Sequence, residues 1–131
     1  MKIVLRANIE ILGKPETAVT STLENIAARI EKRNSITLLK KKIEKLKKEE
    51  QGFFSSSLEV EVSVEDFSDM VGFILDFGPI NIEILEPENI SFDSGDIEEG
   101  LNQLLGKFHD FDNKVKILAA NLYNKNKEKK N

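Results

Sequence analysis

Cysteine is absent from the 131 residues. That excludes disulfides, a thiolate zinc site and a cysteine nucleophile. It also fits a reducing cytoplasm, the location we expect. Tryptophan is missing and the one tyrosine, Tyr123, lies near the C-terminal end. His109 is the only histidine. With Asp110 and Asp112 it forms a small cluster, but one imidazole and two flexible carboxylates do not close a metal site. A solvated surface histidine is the plainer reading. The seven glycines are scattered, so there is no Gly-rich phosphate loop, and no Ser/His/Asp constellation is apparent. The opening run MKIVLRANIEIL is interrupted by Arg6 and Glu10. It is too short and too charged for a signal peptide or a membrane span. From these absences we expect no cofactor, no metal, no membrane partner and no enzymatic activity.

What is present is sufficient for a core, with 40% apolar residues, and is strongly patterned in charge. Residues 1–57 carry twelve Lys and Arg against seven Asp and Glu. Residues 58–112 carry fifteen acids and a single base, Lys107. Residues 113–131 carry six Lys and one Glu. Opposite-sign blocks within one chain favour self-association or internal docking at least as much as an outside partner.

The stretch from Ser57 to Pro87 organises the rest. Leu58, Val60, Val62 and Val64 alternate with Glu59, Glu61, Ser63 and Glu65, as in a strand with one buried face. Ser63 and Asp66 form a capping-box pattern for a following helix. Phe67, Met70, Val71 and Ile74 recur at helical spacing. Gly78 suits the left-handed position after a helix, and Pro79 cannot continue it. Ile80, Ile82 and Ile84 resume a period of two until Pro87. Upstream, Ile3, Leu5, Ala7, Ile9 and Ile11 share one face of a first strand. Pro15 opens a helix striped by Val19, Leu23, Ile26, Ala27 and Ile30, and Ile36 and Leu38 begin a second strand. KKKIEKLKKEE (residues 40–50) reads as a Lys-rich edge strand to about Lys42, then a mobile or helical connector.

The order β-α-β-β-α-β is that of a ferredoxin-like α+β sandwich, a four-stranded antiparallel sheet with both helices on one face. We assign it to residues 1–88, with 89–95 as connector. Val60, Val62, Ile82 and Ile84 should be core. The open sheet face should carry Lys2, Arg6, Asn8, Glu10, Glu59, Glu61, Asn81 and Glu83. The carboxylates there could act as an acid–base pair only if burial separated them, and an open face offers none.

The run Phe77-Gly78-Pro79, then Glu83-Ile84-Leu85-Glu86-Pro87, resembles the C-terminal extension of WYL-domain transcriptional regulators. There a helix ends in a similar FGP and the next strand in a similar VLEP. The resemblance covers about residues 2–88 and implies the same fold and a sensory or assembly role. It brings no ligand-binding residue with it, and neither the winged-helix nor the WYL domain is present.

The second pattern lies beyond Gly95. Ile97, Leu101, Leu104, Phe108, Phe111, Val115, Leu118 and Leu122 are spaced 4, 3, 4, 3, 4, 3, 4, an unbroken heptad seam. It predicts a long C-terminal helix over 96–124, capped by Ser94 or Asp96, and a frayed basic tail over 125–131. Leu105 and Ile117 fall outside the seam, so a wide stripe folded onto its own domain is the alternative. Gly100 and Gly106 weaken either arrangement. Lys107 and Asp112 flank the seam where they would pair between parallel chains, but strand number and direction stay open.

These residues point to a non-enzymatic binding or assembly module, a scaffold, adaptor or regulatory subunit. It would be a homo-oligomer, with a dimer favoured, through the eight seam residues, and a further protein partner is conceivable. The alternative is a small-molecule sensor of the ACT kind. A nucleic-acid accessory protein ranks third. The Lys run suits phosphates, but it is interleaved with Glu, and the open face is acidic and lacks stacking aromatics.

Overall fold

The computed structural model describes residues 2–130. The elements are β1 (Ile3–Gly13), α1 (Glu16–Lys32), β2 (Thr37–Ile43), β3 (Lys47–Lys48), β4 (Phe54–Val64), α2 (Phe67–Phe77), β5 (Asn81–Glu86) and α3 (Ser94–Lys130), with one 3-10 turn at Glu50–Gly52. The strands form one antiparallel sheet in the order β2-β4-β1-β5. This is the ferredoxin-like arrangement, with an added long C-terminal helix.

The period-two residues set the register. Leu5 lies opposite Val62, Ala7 opposite Val60 and Ile9 opposite Leu58, and all six are buried. From above, α1 lowers Val19, Leu23, Ala27 and Ile30 onto this face, and α2 adds Phe73 and Phe77. Arg33, just after α1, pairs with Asp76 of α2, and its guanidinium and that of Arg29 lie over the Phe77 ring. Gly78 ends α2 at φ +56°, its N–H donating to the Ile74 carbonyl at 3.0 Å. Only a residue without Cβ adopts that conformation without strain.

Several expectations need correction. The edge strand runs to Ile43, close to the expected Lys42, but residues 44–49 beyond it are neither helical nor a free connector. The chain rejoins the sheet at β3, where Lys47 and Lys48 pair with Ser55 and Phe54, because the long strand β4 offers backbone partners beyond the end of β2. A bulge between Leu38 and Lys40 then turns Lys40 and Lys42 toward Glu61 and Glu59 on the open face. Ile84 is 47% exposed rather than core. It lies opposite buried Leu5, but β5 is an edge strand and shields it from one side only. Ile82 is half-buried against the core. On α2 the buried apolar residues are Val71, Phe73 and Phe77, whereas Ile74 is 40% exposed, because α2 is covered on two sides, by the sheet and by α3.

The capping box does not form either. Asp66 occupies the cap position without a side-chain hydrogen bond, and Ser63 is buried within β4. Finally, α3 is longer than its seam requires. It starts at Ser94 and runs on through 125–130, the stretch expected to fray, to Lys130. Asn131 lies outside the described residues.

Candidate functional site

The open face of the sheet gathers the charges expected there. Arg6 reaches Glu59 (3.5 Å), Glu61 (3.1 Å) and Glu83 (3.2 Å) from its central strand. Lys40 approaches Glu61 at 3.7 Å, and the Asn8 amide donates to Asn81 at 2.9 Å. The Glu61 hydrogen bond, opposed by partial desolvation and aided by the other carboxylates, raises the pKa of Arg6 above its ordinary value. The three glutamates are therefore bound up in an ion cluster centred on Arg6, with Lys40 at its edge. Glu10 is not part of it.

The other surface of interest is α3. Its 37 residues span about 55 Å at 1.5 Å per residue, whereas the longest strands, of 11 residues, span about 36 Å. It packs on α2 through one stripe. Asp96 accepts hydrogen bonds from the Phe67 (2.8 Å) and Ser68 (3.2 Å) backbone N–H groups, so the free donors at the start of α2 are capped by a carboxylate from another helix. Desolvation pushes the Asp96 carboxyl up, but the hydrogen bonds from Phe67 and Ser68 outweigh it and hold the pKa below its ordinary value. Next on the stripe, Gly100 is pressed so closely against Phe67 that a Cβ there would lie 2.5 Å from the ring. Gln103 then lies over Gly72.

Asp96, Gly100 and Gln103 are polar or small. The seam lies about a quarter turn around the helix from them at 100° per residue, and docking leaves it uncovered. Ile97 and Leu104 are 36% exposed, Leu101 48%, Val115 45%, Phe108 62%, Phe111 67%, Leu118 61% and Leu122 63%. From Leu104 to Glu128 every residue is exposed. The structure thus keeps the eight seam residues on one helix face but buries none of them within the chain. Where the seam meets α2, Leu75 joins Leu104, Lys107, Phe108 and Phe111 to line a shallow apolar groove. His109 and Asp112 lie on the exposed helix, and Asp112 pairs with Lys116 at 2.9 Å.

The model of the MJ0538 family matches residues 5–130, spanning both the sandwich and α3. The chain belongs to the MJ0538 family. It is 27% identical over 117 residues to the uncharacterised protein MJ0538 of Methanocaldococcus jannaschii, an overlap of 88% of this chain and 44% of that protein. The chain therefore spans less than half the length of that relative. No solved structure matches. Neither family model nor relative connects the chain to WYL-domain regulators.

The sequence reading did not identify the clamp of Asp96 on α2, the close approach at Gly100, or Leu75 in the groove. A glycine that interrupts an otherwise strong helical seam was the available sign of close packing. The long-range carboxylate cap left no local signal, because its donors lie 28 and 29 residues away.

Proposed function

We propose that this chain is a cytoplasmic, non-enzymatic assembly module, a scaffold, adaptor or regulatory subunit that self-associates through α3. The observation that carries this reading is the face on which α3 docks. The helix meets its own domain through Asp96, Gly100 and Gln103, while the apolar seam stays in water. An exposed stripe of that length is rare on a monomer. Each seam side chain is about half exposed, so covering it is worth about half of a full burial of 1.5–3 kcal/mol, or roughly 1 kcal/mol. Summed over two chains, this is comparable to the ~4–15 kcal/mol of entropy lost on association. The open sheet face, occupied by the Arg6 ion cluster, offers no comparable apolar surface.

Sedimentation equilibrium at tens of micromolar tests the proposal. The wild type should be dimeric. Phe111→Asp places a charge in the seam and should yield a folded monomer, because residue 111 contributes nothing to the core of the sandwich. A monomeric wild type at that concentration refutes self-association.

A further inference from the structure

We propose that two copies pair their α3 helices antiparallel, so that the basic distal half of each helix lies along the acidic α2–α3 end of the other copy. This rests on the reading of α3 as the self-association surface and adds the direction and register of the contact. The seam spacing reads the same in both directions, so reversal about a two-fold axis between His109 and Asp110 sets apolar residues opposite apolar residues. Phe108 faces Phe111 of the second copy, Leu101 faces Leu118 and Ile97 faces Leu122. The phenyl rings cluster at the axis, next to the groove that Leu75 lines.

Charge decides between this arrangement and the parallel one. The proximal end of α3 and the residue before it carry Asp93, Asp96, Glu98 and Glu99. Of these, Asp96 and Glu99 stand close to Asp69 at the start of α2, where Glu65 and Asp66 also lie. The crowding is felt within the chain: the Asp69 carboxyl is raised above its ordinary pKa by desolvation first, then by Asp66, Asp96, Glu65 and Glu99. The distal half carries Lys114, Lys116, Lys125 and Lys127 against Glu128, all exposed. A parallel pair would double the acidic crowding at one end and the basic crowding at the other. An antiparallel pair neutralises both ends. The parallel arrangement has one advantage, Lys107 beside Asp112 where reversal brings Lys107 near Lys114. That advantage is small, because Asp112 is already paired with Lys116 at 2.9 Å.

The chain has no cysteine, so introduced thiols report the geometry directly. Leu101→Cys and Leu118→Cys are prepared separately, then mixed, and each sample is oxidised in a glutathione buffer. In the antiparallel pair, like positions lie about 25 Å apart along the axis, 17 residues at 1.5 Å, far beyond disulfide reach. Neither variant alone should cross-link, and the equimolar mixture should give a disulfide-linked dimer on a non-reducing gel. Cross-linking of either variant with itself overturns the proposal in favour of a parallel pair. Dimers in sedimentation that cross-link in no sample overturn the register. Monomers in sedimentation show instead that the self-association reading has failed. The unmodified protein supplies a second measurement. An antiparallel dimer should dissociate several-fold more readily as salt rises and screens the opposed ends, whereas a dimer that holds or strengthens in salt refutes the charge argument.

Discussion

Two glycines on one helix should respond unequally to the same substitution. At Gly106 nothing lies within 4 Å of an added Cβ. Gly106→Ala therefore gains only helix propensity, about 0.8–1 kcal/mol. At Gly100 the same methyl would lie 2.5 Å from Phe67 Cδ1, 2.6 Å from Cε1 and 3.3 Å from Val71 Cγ2. The Phe67 ring cannot easily yield. It sits on Phe92 with centroids 5.5 Å apart, and its own N–H is held by Asp96. Relief would require α3 to move off α2, loosening the Asp96 clamp as well. Overpacking of this kind costs about 1–3 kcal/mol, which cancels or exceeds the propensity gain. Gly100→Ala should therefore be less stable than Gly106→Ala by about 1–3 kcal/mol. Urea denaturation followed by circular dichroism, with all proteins at one concentration, gives the comparison. If both variants are stabilised equally, α3 does not dock on α2 through Gly100, and the argument that the seam is free falls with it.

Other perturbations probe the core and the acidic end. Val62 is fully buried between strands β1 and β2, so Val62→Asp should destabilise by on the order of 4 kcal/mol through an unpaired buried charge; near wild-type urea stability would mean the strand facing is inverted. Asp69 and Asp96 should act on stability in opposite senses with pH. The Asp96 pKa is depressed on folding, so its contribution is present above the ordinary carboxylate range of about 4 and is lost as pH falls through the lower folded value. Asp96→Asn should therefore be most damaging near neutrality and least in acid. The Asp69 pKa is raised, so its charge opposes folding above the ordinary carboxylate range and the penalty fades on acidification. Asp69→Asn should stabilise at neutral pH and lose that advantage as the pH drops. Thermal melts across the acid range check both, and a common direction for the two variants would refute the assignment.

Much of this architecture was legible because its signals are local and periodic. Alternation in Ile3–Ile11 and Leu58–Val64 specified both the strands and the face each turns inward, since a one-residue slip would invert every side chain. Gly78 and Pro79 marked the end of α2 because backbone geometry alone forbids most other residues there. The eight-residue seam announced a long helix for the same reason. Tertiary structure decided what periodicity does not encode. Ile84 alternates like a core residue, yet its exposure depends on β5 being the edge of the sheet. Residues 47–48 have no strand pattern of their own and pair because β4 runs past the end of β2. The start of α2 carries a capping sequence that stays unused, because Asp96 supplies the acceptor from another helix. The docking face of α3 follows the same logic. Hydrophobicity alone would lay the seam on the domain, but Gly100 permits a closer approach than any seam residue could, and Asp96 satisfies two otherwise unpaired N–H groups. Those contacts depend on where two distant segments meet in space, and their effect is to turn the seam outward.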